Sequence, residues 1–416
     1  MKQIQVRYQG HGETWVLGQL AADGQRTLFE YSPEALARGL ELSPINLPLR
    51  ALAYPTRQGE YADLYGLPGL IYDSLPDGWG LRLMDRALHA LGREPDSLGV
   101  LDKLAWPGNR ALGALTFEPA DAVPLARADL DLLQLATEAR AIQQDDAHSI
   151  LPAMLIAGGS PGGARPKVLV GYDPSSGAMS TRPSAAGALQ PWLVKFPAMG
   201  DDTDSCALEA AYADLARACG IEMMPTQYFS LDHGLSAFAT QRFDRNALGQ
   251  RVPVHSLAGL LHVYFRAPSI GYSDFFRATR MLSRDQREVA SAVQRCVFNV
   301  LMHNQDDHAK NFAFVLTATG QWRLSPAYDL TWNSGRNGQH FMDIAGEGKN
   351  VTRAHLISAA QTAGIVPRQT ERMIDQMLDV LTPGFVRSAA SAYPVGSRAL
   401  KRVIETLETA RPLLLG

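Results

Sequence analysis

Apolar and polar residues alternate along the first part of the chain. Ile4, Val6 and Tyr8 are separated by polar residues, and similar runs cover residues 14–20 and 27–31 between glycine-containing turns. A period of two predicts β-strands with one buried face. We therefore expect the first part of the chain to be rich in β-structure.

A polar break ends this region. A helix is predicted over residues 80–91 and a strand over residues 114–117, and Pro119 and Pro124 then bracket a polar stretch. Prolines in a polar stretch are typical of connections between folded units. Residues 1–120 are therefore predicted to form a β-rich N-terminal subdomain.

The next part, residues 121–245, combines both patterns. Leu132, Leu135, Ala139 and Ile142 keep the spacing of a helix. Strands are predicted over residues 168–172, 192–196, 228–231 and 236–240. An amphipathic helix, with its apolar residues on one stripe, lies between the second and third of these strands. These patterns predict a connecting helix and a small sheet.

The last part, residues 246–416, is predicted to be mostly helical beyond Pro253, including residues 372–381 and 397–410. Sheets in the first parts and helices in the last predict an α+β fold.

Composition and charge limit the classes of function. The chain has 416 residues, 46% of them hydrophobic, which is enough for two or three domains. Its 39 basic and 42 acidic residues give a net charge of −3, which argues against autonomous nucleic-acid binding. Three scattered cysteines favour a reducing cytoplasm, and neither a signal peptide nor a membrane-spanning run is found. We expect a cytoplasmic protein with no membrane partner.

The segment 303–311 carries the densest group of reactive side chains. Within it, Asp306 and Asn311 stand in the spacing Asp-x4-Asn, and Asp329 follows downstream. A kinase needs an Asp to receive the proton of the attacking hydroxyl, an Asn on a metal ion and a further Asp on metal. The order and spacing of these residues fit that need.

Two other interpretations of the same segment stay open. Polar runs at helix ends are usually solvated surface. Alternatively, His303, Asp306, Asp307 and His308 are candidate ligands of a metallohydrolase centre. We favour phosphoryl transfer, because the other histidines are isolated and substrate phosphates complete the shell of a bound Mg²⁺.

Upstream elements are consistent with nucleotide binding. A glycine-rich loop at residues 158–163 precedes a strand, and glycine lets backbone N–H groups close around an anion. It matches no standard phosphate-binding motif, and such loops are usually only turns. Lys195 lies in an otherwise apolar strand, where it either reaches solvent or holds phosphates, and Glu209 on the next helix is a candidate partner for it.

Segments in a fixed order along nearly the whole chain carry a family resemblance. They are residues 75–80 (Leu-Pro-Asp-Gly-Trp-Gly), 113–117, 162–167, 194–197, 242–245, 304–312, 325–330 and 346–350. Together they resemble the HipA family of toxin serine/threonine kinases, the kinase halves of bacterial toxin–antitoxin pairs. The resemblance implies a protein-kinase-like two-lobed fold, with an N-lobe in residues 121–245 and a helical C-lobe in residues 246–416.

The resemblance also implies roles for individual residues, with ATP and Mg²⁺ as cofactors. Asp306 would be the catalytic base, Asn311 and Asp329 the Mg²⁺ ligands, and Lys195 a contact of the ATP phosphates. The residues implied to surround the nucleotide are Gly158, Gly159, Ser160, Gly162, Gly163, Gln241, Phe243 and Asp244. His308 and Lys310 would shape the catalytic loop and its acceptor region, and Ser160 would be an autophosphorylation site.

Two positions depart from the family pattern. Gln241 stands where some members have an acidic hinge residue, and Pro161 follows Ser160. The expected partners are a protein substrate, an aminoacyl-tRNA synthetase in some members, and a helix-turn-helix antitoxin (HipB-like) that alone contacts DNA. The alternative is a catalytically weak corepressor that binds this antitoxin.

Overall fold

The computed structural model describes residues 2–23, 26–56, 61–120, 131–144, 154, 163–180 and 189–415. Residues 158–162 of the predicted glycine loop and Pro124 of the predicted boundary lie outside the described residues. Ser160, the predicted autophosphorylation site, lies outside them too.

The first sheet is antiparallel and follows the alternating pattern of the sequence. Its strands are β1 (Lys2–Gly10), β2 (Glu13–Ala22), β3 (Thr27–Tyr31), β4 (Tyr54–Thr56) and β5 (Leu115–Glu118), in the order β4-β3-β2-β1-β5. Ile4, Val6 and Tyr8 of β1 are buried, as a period of two predicts. The predicted strands of this region are therefore confirmed.

Five helices lie between or just after these strands along the chain. They are α1 (Pro33–Arg38), α2 (Gly69–Tyr72), α3 (Trp79–Ala90), α4 (Val100–Ala105) and α5 (Leu132–Gln143). The predictions of α3 and α5 are confirmed. The sequence patterns missed α1, α2 and α4, because helices of four to six residues are too short to show a period.

A second antiparallel sheet follows. Its strands are β6 (Lys167–Tyr172), β7 (Met179–Ser180), β8 (Gln190–Lys195), β9 (Thr226–Ser230) and β10 (Ser236–Gln241), in the order β7-β6-β8-β10-β9. Helix α6 (Ser205–Ala218) connects β8 to β9. Trp192 and Val194 of β8 pack into one core with Trp79 of α3, so the first region of the chain also covers one face of the second sheet.

The remaining chain is mainly helical, as predicted. Its helices are α7 (Leu257–Leu261), α8 (Tyr272–Ser283), α9 (Gln286–Leu301), α10 (Arg353–Gln361), α11 (Pro367–Val380), α12 (Pro383–Ala390) and α13 (Ser397–Leu415). A small antiparallel sheet of β11 (Val254–Ser256), β12 (Ala313–Leu316) and β13 (Trp322–Leu324) was not predicted. Strands of three or four residues give little pattern. No helix among the described residues is long and apolar enough to cross a membrane.

A buried polar network joins the first region to the last. The ring of His255, which is fully buried, lies 2.8 Å by its Nδ1 from Asp73 Oδ2 and 2.9 Å by its Nε2 from Ser43 Oγ. The Ser256 hydroxyl donates to the other Asp73 oxygen at 2.6 Å. Apolar residues on both sides of this network belong to one continuous core. The first sheet is therefore packed firmly against the helical part of the chain.

Candidate active site

Lys195 lies at the centre of a buried ionic cluster. Its Nζ donates to Glu209 Oε1 at 2.5 Å and to Asp329 Oδ1 at 2.6 Å. The local fold explains the first contact, because α6 begins shortly after β8 and returns its first turns across the sheet. Glu209 is therefore directed at the strand, and the pair that the sequence suggested is present. We call Lys195, Glu209 and Asp329 the cleft cluster.

Lys195 and Asp329 of the cleft cluster hold each other in their charged forms. Burial by itself would lower the pKa of Lys195, but the charges of Asp329 and Glu209 outweigh it and raise that pKa above its ordinary value. Burial would likewise raise the pKa of Asp329, but Lys195 and then Lys167 lower it well below the usual range. The ammonium of Lys195 and the carboxylate of Asp329 therefore meet as a charged pair.

Further cations lie beside this cluster. Lys167 of β6 stands directly opposite Lys195 in the strand register, and burial is the main cause that lowers its pKa to about 8. The guanidinium of Arg165 lies 3.4 Å from Asp201 and 3.9 Å from Glu209.

The described end of the glycine loop touches these cations. Gly163 has a φ of +93°, and a Cβ there would lie 2.5 Å from Lys167 Nζ. This positive φ favours glycine where the loop reaches the second sheet. This gathering of positive charge is suited to the phosphates of a nucleotide.

The predicted catalytic loop follows α9. The side chain of Asp306 is 54% exposed, and its carboxylate lies 3.9 Å from His308 Nε2. Partial desolvation in the cleft and the charge of Asp329 raise its pKa, against the opposing effect of His308. The Asn311 amide donates to the backbone carbonyl of Asp306 at 2.8 Å. The Asp-x4-Asn spacing thus closes a loop that presents Asp306 to the cleft near Asp329.

Asp307, next to Asp306 in sequence, points the opposite way. Its buried carboxylate accepts hydrogen bonds from the Tyr272 hydroxyl, His340 Nδ1 and the Phe341 backbone N–H, each at 2.7 Å. Three donors leave this carboxylate with a structural role that holds the loop in place.

The ligand set of the metallohydrolase interpretation does not converge. Asp307 faces the core, and the ring of His303 stacks on Trp332 with 5.7 Å between ring centroids. Burial lowers the pKa of His303 to about 4. Within the described residues, no group of three or more His, Cys, Asp or Glu side chains is arranged to hold a metal ion. Phosphoryl transfer needs fewer protein ligands, because phosphates supply the rest.

His308 and Lys310 occupy an aromatic wall of the cleft. The His308 ring contacts Phe265 and Phe341, with centroids 5.2 and 5.8 Å apart. The ammonium of Lys310 lies over the rings of Phe265 and Tyr72, at 4.7 and 4.9 Å from their centroids. A cavity of about 200 Å³ opens beside Lys310.

The three hinge residues predicted to flank the nucleotide have different surroundings. Phe243 packs on the ring of Tyr328, next to Asp329, with 5.5 Å between centroids. The side chain of Gln241 donates to Gln190 at 2.8 Å. Phe243 therefore adjoins the site through Tyr328, whereas the amide of Gln241 is bound to a neighbouring strand.

Asp244 lies in a cluster of its own. Its carboxylate accepts hydrogen bonds from Arg242, Arg245 and the Gly113 backbone N–H, at 2.7 to 2.9 Å. These contacts join the second sheet to the first region of the chain. The assignment of Gln241 and Asp244 to nucleotide binding stays a prediction.

The structure thus brings Lys195, Asp306, Asn311 and Asp329 to one cleft. Sequence reasoning missed Arg165 and Lys167, although both lie in the quoted segment 162–167. The strand register places Lys167 opposite Lys195, and this register could not be predicted from the sequence.

Comparison with known proteins agrees with this architecture. The family model of the HipA-like C-terminal domain matches residues 159–383, and that of the HipA N-terminal domain matches residues 11–118. The first match alone covers more than half of the chain. The chain belongs to the HipA family.

Two relatives detected by sequence are named as putative kinases. "Putative kinase Y4mE" of Sinorhizobium fredii is 27% identical over 341 residues, which cover 76% of this chain and 74% of the relative. "Putative kinase Y4dM" of the same organism is 30% identical over 162 residues, which cover 35% of this chain and 38% of the relative.

A solved structure shares the fold of nearly the whole chain. In the complex of Shewanella oneidensis MR-1 HipA with HipB and its operator DNA, HipA matches with a TM-score of 0.69 at 16% identity, covering 98% of this chain and 96% of that chain. The predicted α+β, kinase-like fold with its β-rich N-terminal subdomain is confirmed.

Proposed function

We propose that this HipA-family protein is an ATP·Mg²⁺-dependent protein serine/threonine kinase that acts as the toxin of a toxin–antitoxin pair. The observation that carries the proposal is the meeting of the Lys195–Glu209–Asp329 cluster with Asp306 and Asn311 in one cleft. These residue types, in this arrangement, meet the requirements of phosphoryl transfer: positioning of phosphates, an oxygen-ligated metal and a base for the acceptor.

The residues of the cleft have different roles in this proposal. Lys195, fixed by Glu209, donates to the phosphates together with the neighbouring cations Lys167 and Arg165. Asp306 orients the acceptor hydroxyl and receives its proton as the γ-phosphoryl group moves to the hydroxyl oxygen and ADP leaves. The raised pKa of Asp306 makes its carboxylate a better proton acceptor than that of an ordinary aspartate.

Asn311 and Asp329 fit the requirements of Mg²⁺. Both offer oxygen ligands, and the lowered pKa of Asp329 keeps its carboxylate charged. When bound there, Mg²⁺ supplies positive charge that neutralises the transferring phosphoryl group. Asn311 has a second function, because its hydrogen bond to the Asp306 carbonyl fixes the loop that carries the base.

The partner would be a small helix-turn-helix antitoxin. The resemblance to HipA implies such a protein, and the solved relative is a complex of HipA with HipB and operator DNA. A net charge of −3 is consistent with DNA contact through the partner rather than through this chain.

The decisive experiment compares wild type with Asp306→Asn in the presence of labelled ATP and cell lysate. Loss of the base should reduce phosphoryl transfer by about 10²- to 10⁴-fold, since that is the usual contribution of a general base. The matched control is Asp232→Asn, which changes an exposed carboxylate outside the cleft cluster. Full transfer by Asp306→Asn would refute the proposal, and absence of ATP turnover in wild type would favour the corepressor alternative.

The toxin part of the proposal has its own test. Induced expression of wild type should arrest growth, expression of Asp306→Asn should not, and coexpression of a helix-turn-helix protein encoded beside the chain should restore growth. Growth arrest by both variants would separate toxicity from catalysis and overturn this part.

Autophosphorylation of Ser160 is part of the same proposal. The labelled-ATP reaction should place label on the chain itself, and Ser160→Ala should remove it. Label that persists in Ser160→Ala would show that a different residue is the acceptor.

A further inference from the structure

The segment 75–80, which the proposed mechanism does not use, lies between the two loops of the active site. It enters from the first region of the chain between α2 and α3. Its residues touch the glycine-loop end on one side and the catalytic loop on the other. We call residues 77–79 the Asp77 turn.

The first contact is with the glycine-loop end. The Trp79 backbone N–H donates to the carbonyl of Gly163 at 2.9 Å. Gly78 has a φ of +40°, and a Cβ there would lie 2.6 Å from the Gly163 carbonyl oxygen and 2.7 Å from Ala164 Cα. Backbone therefore packs directly on backbone, which only glycine at position 78 permits.

The second contact is with the catalytic loop. Asp77 Oδ2 lies 3.5 Å from Lys310 Nζ, and Asp77 Oδ1 accepts hydrogen bonds from Arg266 at 2.6 Å and the Gly78 N–H at 2.8 Å. Asp77 is 8% exposed, so its charge acts on Lys310 through a poorly solvated gap. The turn is thus fixed by two other bonds while it faces the lysine.

The aromatic rings beside Lys310 cannot define its position alone. Tyr72 and Phe265 attract the ammonium through their ring faces, but a ring face tolerates lateral movement of a cation. The Tyr328 hydroxyl holds only the backbone carbonyl of Lys310, at 2.8 Å. Asp77 forms an ion pair with Lys310, and this contact gives the lysine side chain a direction.

We propose that the Asp77 turn is a clamp through which the N-terminal region sets the active site: Asp77 positions Lys310, and Gly78 with Trp79 positions the end of the glycine loop. This inference rests on the proposed kinase function. It makes the N-terminal region part of the machinery of phosphoryl transfer, with Asp77 as a positioning residue rather than a catalytic one.

The two ends of the clamp should affect different kinetic parameters. Asp77→Asn should lower kcat by about 10- to 100-fold, since a small misplacement of the loop that carries Asp306 has effects of that order, and leave KM for ATP unchanged. Asp77→Glu, which keeps the charge, should recover part of the loss. The control is Asp63→Asn, an exposed carboxylate on the same cavity, which should behave as wild type.

A double-mutant cycle separates positioning from general damage. If Asp77 acts through Lys310, Asp77→Asn should add nothing to the loss caused by Lys310→Gln. Additive losses, or a rise in KM for ATP with unchanged kcat, would overturn the role assigned to Asp77.

The glycine end has a matched pair of variants. Gly78→Ala should weaken ATP binding by about 10-fold or more, because the added methyl must displace the Gly163 backbone, a close approach that only glycine allows. Gly92→Ala is the control: Gly92 has a similar positive φ of +67°, but a Cβ there meets nothing within 4 Å. If the two variants weaken ATP binding equally, the loss is caused by backbone strain and the clamp is refuted.

One measurement tests the clamp independently of kinase activity. Amide hydrogen exchange over residues 306–311 should quicken in Asp77→Asn, and exchange over residues 163–167 should quicken in Gly78→Ala. Unchanged exchange in both variants would reject the clamp even if the protein is a kinase. Quickened exchange in a protein without ATP turnover would keep the clamp and reject the proposed function.

Discussion

Two buried ionic clusters in the second sheet and its flanks invite comparison. The cleft cluster has one cation and two carboxylates, and the Asp329 side chain is still 31% exposed. The junction cluster of Arg242, Asp244 and Arg245 has two cations and one carboxylate, with side-chain exposures of 9%, 7% and 11%.

The two clusters differ in whether the shared carboxylate remains accessible. Asp244 is saturated by the two guanidinium groups and the Gly113 N–H, so it serves to join two regions of the chain. Asp329 keeps access to the cleft, where its charged carboxylate can meet a bound cation. One ion cluster is therefore closed, whereas the other, which we propose to take part in phosphoryl transfer, is accessible, and the exposure of the shared acid distinguishes them.

The largest expected effect concerns the junction cluster. Asp244→Asn leaves two buried guanidinium groups without a counter-charge and should lower the free energy of unfolding by about 3–5 kcal/mol. Urea denaturation measures the loss. Glu405→Gln, which removes an exposed ion pair with Lys401, is the control and should cost no more than about 0.5 kcal/mol. A small loss in Asp244→Asn would contradict the structural role of the junction cluster.

The next largest effect concerns the cleft cluster. Lys195→Met should lower kcat/KM for ATP by about 100- to 1,000-fold, because the charged donor to the phosphates is lost. Steady-state kinetics on protein shown to be folded by circular dichroism checks this. Lys401→Met, at an exposed position, should retain full activity. Activity of Lys195→Met near wild type would remove the cleft cluster from the mechanism.

A smaller effect is expected for the partner of Lys195. Glu209→Gln keeps a side chain of the same shape, and Asp329 continues to bind Lys195, so the activity should fall by only about 10-fold, or about 1.4 kcal/mol in the barrier. A loss as large as that of Lys195→Met would show that Glu209 has a direct role. Comparison of the two variants therefore tests whether Glu209 acts only by holding Lys195 in place.

The smallest effect is a dependence on pH. Burial would raise the pKa of Asp244, but Arg242 and Arg245 lower it well below its usual range, so the unfolded chain takes up its proton first as pH falls. The stability difference between wild type and Asp244→Asn should be constant above about pH 5 and shrink by about 1 kcal/mol per pH unit below about pH 4. Urea titrations across pH 3–8 measure it, and a difference that grows on acidification would contradict the assignment.

The sequence predicted the cleft better than its surroundings. Asp306, Asn311 and Asp329 stand in a spacing that is typical of phosphoryl transfer, Lys195 follows a loop and a strand, and the structure brings all four side chains to one cleft. The order and spacing of these residues along the chain can be recognised in a single sequence.

Contacts between distant segments were beyond sequence reasoning. Asp306 and Asp307 are neighbours of the same type, and only the positions of Tyr272 and His340 decide which of them is buried. Lys167 opposes Lys195 through strand register, and Asp77 meets Lys310 from a distant part of the chain. Such pairings depend on the packing of whole elements rather than on local preference.

The shared core has a consequence for the order of events during synthesis. The ribosome completes the first sheet early, but Ser43 and Asp73 acquire their common partner only when His255 has emerged. Lys195 likewise can form its hydrogen bond to Asp329 only after residue 329 has been synthesised. Regions of a nascent chain generally fold as they appear, starting from the N-terminus. In this chain a fragment released early lacks both the closing contacts of its core and one carboxylate of its cleft, so the growing polypeptide gains a complete active site only after most of it has been translated.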